Sequence, residues 1–165
     1  LRVNNYLGEG QGYDGGAKIY HYLEYLRDVV GFDKVKEKVT NALSGKKIAA
    51  YYGCLLLRPG KVMQMDDPEN PTIMEDLIRA MGAEAVITPY RNECCGGYIT
   101  LENPESAKKR SNKITKNVES LGADMIVTAC PLCKYNLERN GCGVPVVYFT
   151  ELLAEALGVK EDTNE

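Results

Sequence analysis

The sequence predicts an α/β fold, a parallel sheet of about four strands flanked by helices, behind an N-terminal helical extension. Two observations predict it. From residue 46 onward, short apolar runs alternate with stretches of helical period. Several of the helical stretches also carry their own start and stop residues. Strands that alternate with helices pair in parallel, because each crossover returns the chain to the same end of the sheet. A chain of 165 residues fits one domain with one core, and 44% apolar with 26% charged residues is ordinary for a globular protein. A net charge of −3 argues against general nucleic-acid binding. No apolar run approaches the roughly 18 residues that span a bilayer.

The chain divides at residue 45 into a Gly-rich lead with a helical linker (1–45) and a cysteine-rich unit (46–160). Gly8-Glu9-Gly10-Gln11-Gly12 could cradle phosphate only between a strand and a helix, and no strand precedes it, so it reads as a linker. Ile19, Tyr22, Leu23, Leu26, Val29 and Val30 recur at helical spacing, with Gly31 as the stop. Val35, Val39 and Leu43 continue as a second short helix. His21 is the single histidine and reads as an ordinary helix-face residue.

Lys47 to Cys54 reads as a buried strand ending at a cysteine. Residues 72–81 read as a helix with Ile73, Leu77, Ile78 and Met81 on one face, a Thr72/Glu75 capping box and Gly82 at its end. Glu84 to Thr88 is a second strand, soon followed by Cys94-Cys95-Gly96-Gly97. Residues 104–121 form a long helix capped by Asn103, with Pro104 at its first position. Its Ala107, Ile114, Val118 and Leu121 point inward, while Lys108, Lys109, Arg110, Lys113 and Lys116 cover the rest. Met125 to Cys130 is a third strand, a short helix starts at Pro131, and Val144 to Phe149 is a fourth strand. Thr150 caps a last helix carrying Leu152, Leu153 and Leu157.

Ligands of such sheets bind beyond the carboxyl ends of the strands. Cys54, Cys94, Cys95 and Cys130 all follow strands, so three separate stretches bring thiols to one edge. The start Leu1-Arg2-Val3-Asn4-Asn5 lacks the basic and apolar regions of an export signal, and the chain does not begin with Met, which fits a fragment in a reducing, cytoplasmic setting. There, thiols serve metals or catalysis more often than disulfides. Cys130-Pro131-Leu132-Cys133 is a two-point metal clip whose helix start should lower both thiol pKa values. A thioredoxin-like pair would explain that element alone. Neighbouring Cys94 and Cys95 diverge, which suits several metal atoms better than one tetrahedral ion. Gly96 and Gly97 let backbone N–H groups approach sulfur. A structural zinc site using four of the five thiols is the alternative. Cys142, between Gly141 and Gly143, lies outside the pattern and reads as a spare thiol.

The arrangement Cys-x39-Cys-Cys-Gly-x33-Cys-Pro-x-Cys resembles the cysteine-rich CCG domain, and over residues 17–158 it is most similar to the B subunit of the CoB–CoM heterodisulfide reductase family. Tyr51-Tyr52-Gly53-Cys54, Asp66-Asp67-Pro68-Glu69-Asn70-Pro71, Cys94-Cys95-Gly96-Gly97 and Thr128-Ala129-Cys130-Pro131-Leu132-Cys133 carry the likeness. The resemblance implies that Cys54, Cys94, Cys95, Cys130 and Cys133 hold a non-cubane [4Fe-4S] cluster serving disulfide reduction, with zinc possible in its place. It also implies iron–sulfur and flavin partner subunits, in a complex that can be membrane-associated. That family carries two cysteine sets in tandem, whereas one set stands here, so the chain resembles the C-terminal half of such a subunit, open to self-association. Related domains serve glycolate and lactate oxidation systems, a second functional expectation.

Overall fold

The computed structural model describes residues 6, 12, 14–141 and 143–159. Four strands, β1 (Lys47–Tyr51), β2 (Glu84–Val86), β3 (Met125–Thr128) and β4 (Val146–Tyr148), form one sheet in the order β2-β1-β3-β4. Every pairing is parallel, with Ile48 beside Ala85 on one side and beside Met125 on the other. Among the described residues the helices are α1 (Tyr22–Tyr25), α2 (Phe32–Lys38), α3 (Gly60–Met63), α4 (Ile73–Ala80), α5 (Pro104–Ser120), α6 (Pro131–Asn140) and α7 (Phe149–Leu157). A π-helical turn (Leu26–Val30) and a 3₁₀ turn (Gly97–Ile99) complete them.

Side chains of a strand alternate between faces, and here both faces are covered. Ile48 and Ala50 enter a large core with Leu23, Leu26, Val35, Leu77, Ile78, Phe149 and Leu153. Ala49 and Tyr51 enter a smaller one with Ile114 and Val118 of α5 and Leu137 of α6. Two cysteines, Cys95 and Cys133, belong to that smaller core. Each fully buried aliphatic side chain contributes about 1.5–3 kcal/mol, so the double covering explains why β1 reads as an almost unbroken apolar run.

Boundaries differ from the sequence reading where local hydrogen bonds outweigh periodicity. The first helix starts at Tyr22, not before Ile19, because His21 caps it: its Nδ1 accepts from the Leu23 N–H at 3.2 Å, and Ile19 is 94% exposed. His21 is thus a capping residue whose ring stacks on Phe149, not a helix-face residue. Gly31 ends the π-helical turn at φ +83°, a conformation only glycine adopts without strain. The second helix stops at Lys38, leaving Leu43 buried in a turn that donates to the Met81 carbonyl. The Thr72/Glu75 capping box does not form. Asp66 Oδ2 accepts from the Thr72 and Ile73 N–H groups at 2.7 and 2.8 Å instead, and Glu75 turns inward. Asn103 caps α5 as expected, accepting from Ser106, but Leu121 lies past the helix and is 45% exposed. The last helix begins at Phe149, with Glu151 accepting from the Tyr148 N–H at 2.8 Å, so Thr150 is not its cap. Most of the Gly8–Gly12 run and Cys142 lie outside the described residues.

Candidate metal centre

The strand order changes direction between β1 and β3, and such a switch point leaves a crevice beyond the strand ends. Cys54 follows β1 by three residues and Cys130 follows β3 by two, so they straddle that crevice. Cys94 and Cys95 arrive from the loop after β2, and Cys133 sits one turn into α6. All five thiols line one cavity together with Tyr52, Leu55, Leu56, Gly97, Tyr98 and Leu132. They are free, with Cys95 and Cys133 buried and Cys54, Cys94 and Cys130 half-buried.

Two glycines make room for the sulfurs. Gly53 holds φ +68°, and a Cβ there would stand 3.0 Å from Cys133 Sγ. A Cβ on Gly97 would stand 3.5 Å from Cys95 Sγ and press on Leu132 at 3.1 Å. Backbone donors also reach sulfur as the sequence suggests: the Gly96 N–H points at Cys94 Sγ at 3.4 Å, and the Gly97 N–H bonds Cys95.

Sequence reasoning missed the side chains that fix Cys95. Its carbonyl accepts from Asn136 Nδ2 at 2.9 Å and from Ser111 Oγ at 3.3 Å. Asn136 also bonds Ser111, Thr100 and Asn140, and both Asn136 and Ser111 are fully buried. The visible signal was polar residues at positions of α5 and α6 that face the core. Beneath Cys54, Tyr52 donates its hydroxyl to the buried Glu75 carboxylate and accepts from the Met74 N–H. Glu75 in turn lies 3.4 Å from Arg91 Nε. Burial pushes the Glu75 carboxyl above its usual range.

The thiols do not titrate alike. The sulfurs of Cys95 and Cys133 are 3.6 Å apart. Cys133 bonds both Cys130 and Cys95, which raises its own thiol and lowers those two to about 6. N–H groups of Leu132 and Cys133 assist at Cys130, and Gly97 with Asn136 at Cys95. Desolvation and the nearby Cys94 raise Cys54. The expectation that the helix start lowers both clip thiols is therefore corrected: it holds for Cys130 and fails for Cys133, which is the shared donor.

Five thiols around one apolar cavity are a soft donor set, suited to iron–sulfur or zinc chemistry and unsuited to hard cations. Among the described residues no three or more His, Cys, Asp or Glu side chains converge as they would on one metal ion. No helix of the described residues is long and apolar enough to cross a membrane.

The chain is 31% identical over 169 residues to the 8-methylmenaquinol:fumarate reductase membrane anchor subunit of Wolinella succinogenes, covering 96% of this chain and 59% of that protein. It is 32% identical over 174 residues to the B subunit of the ferredoxin/F420H2-dependent CoB–CoM heterodisulfide reductase of Methanosarcina acetivorans, covering 97% of this chain and 57% of the relative. An Archaeoglobus profundus protein described as like the heterodisulfide reductase B subunit is 32% identical over 172 residues, with 95% and 58% covered. The chain thus spans somewhat under three-fifths of the length of these relatives. Residues 48–138 match the family described as the cysteine-rich domain, CCG, and the chain belongs to that family.

Proposed function

We propose that this chain is an iron–sulfur redox component of a heterodisulfide reductase-like complex, with Cys54, Cys94, Cys95, Cys130 and Cys133 as ligands of a non-cubane [4Fe-4S] cluster. The observation that carries this reading is the meeting of five free thiols from three separate stretches of chain in one apolar cavity at the switch point. Five thiols exceed the four ligands that one zinc ion takes, and adjacent Cys94 and Cys95 favour a group with several metal atoms. When bound, such a cluster supplies one-electron chemistry and iron sites with affinity for sulfur.

The chain's own residues prepare that site. The thiols of Cys95 and Cys130 are lowered to about 6 and that of Cys133 is raised, so loading a metal there must release protons. N–H groups of Gly96, Gly97 and the α6 start aim at sulfur, and such bonds set the potential of a thiolate-bound centre. Leu55, Leu56, Leu132 and Tyr98 border the cavity with apolar surface. The half-buried thiols leave one side open to a disulfide substrate such as CoM-S-S-CoB, presented within a complex that includes further iron–sulfur and flavin subunits. The unit carrying the site is residues 46–160, with residues 1–45 as its lead. The Wolinella relative favours a second reading, an electron-transfer subunit of a quinol-linked, membrane-associated complex.

Anaerobic reconstitution with iron and sulfide tests the assignment. The expected result is about four irons and four sulfides per chain with visible thiolate-to-iron absorption. A protein that takes up zinc at one ion per chain and stays colourless after iron loading rejects it.

A further inference from the structure

The sheet alone does not set the spacing of Cys54 and Cys94. Pairing between β1 and β2 ends at Ala49 and Val86, well before either cysteine. The two loops beyond those strands are instead tied through the Asp66-Asp67-Pro68-Glu69-Asn70-Pro71 segment, which has no thiol of its own.

The ties are specific. The Pro68 carbonyl accepts from Arg58 Nη2 at 3.0 Å and from Asn92 Nδ2 at 2.8 Å. Arg58 Nη1 closes the triangle by donating to the Asn92 carbonyl at 2.9 Å. Arg58 stands four residues after Cys54, and Asn92 two residues before Cys94. Beside them, Arg91 Nη2 donates to Asn70 Oδ1 at 2.6 Å, while the Arg91 carbonyl accepts from the Tyr52 and Gly53 N–H groups at 2.7 and 3.2 Å. The segment is stiff enough to act as a fixed point. Asp66 caps α4, Asp67 Oδ1 accepts from the Glu69 N–H at 2.9 Å, and two prolines restrict its backbone. The planar guanidinium of Arg58 reaches both carbonyls at once, which a lysine ammonium on a flexible stem does not reproduce.

We propose that Arg58 and Asn92 are positioning residues that act through the Pro68 carbonyl to hold Cys54 and Cys94 at the separation the metal centre requires. This rests on the cluster reading above and adds the device that sets its half-buried side. The competing explanation is that the same bonds only stabilise surface loops.

The test uses the full chain with and without metal. In the metal-free protein, a short bifunctional thiol reagent, dibromobimane, is expected to bridge Cys54 to Cys94, as mapped by peptide mass. Arg58→Lys and Asn92→Asp should each slow that bridge about fivefold, as the hydrogen bonds to the Pro68 carbonyl are lost, while the urea midpoint moves little. In the iron-loaded protein, the same variants should alter the electron paramagnetic resonance signature and lose iron to a chelator several-fold faster. The proposal is overturned if the wild-type bridge does not form. It is also overturned if both variants bridge at the wild-type rate with an unchanged signature, whatever their stability. A colourless wild-type protein with the bridge pattern intact would instead reject the cluster reading, so the two failures are separable.

Discussion

Cys95 and Cys133 sit in the interior, 4% and 5% exposed, whereas Cys54, Cys94 and Cys130 line the open side of the same cavity. The inner pair is part of the smaller hydrophobic core and is held by folding itself: Ile114, Val118 and Leu137 pack around it, and Asn136 and Ser111 grip the Cys95 carbonyl. Cys54 and Cys94 stand on loops whose positions depend on Arg58, Asn92 and the Pro68 carbonyl. One site is thus built in two ways, half by the core and half by bracing. Damage to the inner half should cost both fold and metal. Damage to the outer half should cost metal alone.

The largest expected effect is on the inner half. Asn136→Ala removes the donor to the Cys95 carbonyl and a partner of Ser111, Thr100 and Asn140, all close to the second core. Leaving such groups unsatisfied costs about 1–3 kcal/mol each, so a loss of roughly 3 kcal/mol is expected in a urea titration of the metal-free protein. An unchanged midpoint would show that Cys95 is not anchored through Asn136. Gly53→Ala comes next. It forces a side chain into φ +68° and against Cys133 Sγ at 3.0 Å, so we expect a loss of about 1–2 kcal/mol together with poorer iron uptake.

Cys54→Ser should separate the halves. The residue is half-buried and outside both hydrophobic clusters, so the metal-free protein should keep its stability to within about 0.5 kcal/mol. Iron and sulfide content should nonetheless fall sharply on reconstitution. If stability falls as far as in Asn136→Ala, the outer thiols are as much a part of the core as the inner ones.

The same division governs what the sequence made legible. The parallel sheet and the arrival of thiols at one edge were readable, because apolar runs ending near Cys54 and Cys130 report a strand buried on both faces. Element ends were less so. Asp66 in place of Thr72 as the α4 cap, and His21 as the α1 cap, are choices between competing acceptors that only the folded chain resolves. The bracing by Arg58 and Asn92 joins residues 34 positions apart, and no local pattern marks such a pair. The raised thiol of Cys133 is illegible for a similar reason. A helix start lowers an isolated thiol, whereas Cys133 lies between Cys130 and Cys95, whose hydrogen bonds raise it.

The smallest effect in energy is on reactivity, which differs thiol by thiol. A thiolate is the nucleophile, so alkylation follows both pKa and access. Cys130 is half-buried and lowered to about 6, so in the metal-free protein it should react first with iodoacetamide at pH 7, with a rate that falls on acidification through about pH 6. Cys95 is lowered equally but buried, and should react only as the fold opens. Cys54 is accessible but raised, so its rate should keep climbing above the ordinary thiol range. Stability has the matching sign. The depressed pKa values of Cys95 and Cys130 contribute stability that is present above the unfolded thiol value of 9.0 and is lost as pH falls through about 6. The raised Cys133 contributes stability that is present below 9.0 and is lost as pH rises beyond it. Metal-free protein should therefore gain resistance to urea from pH 6 toward 9 as far as thiols decide it. Alkylation of Cys95 as fast as Cys130 at pH 7, without unfolding, would show that the inner and outer thiols share one environment.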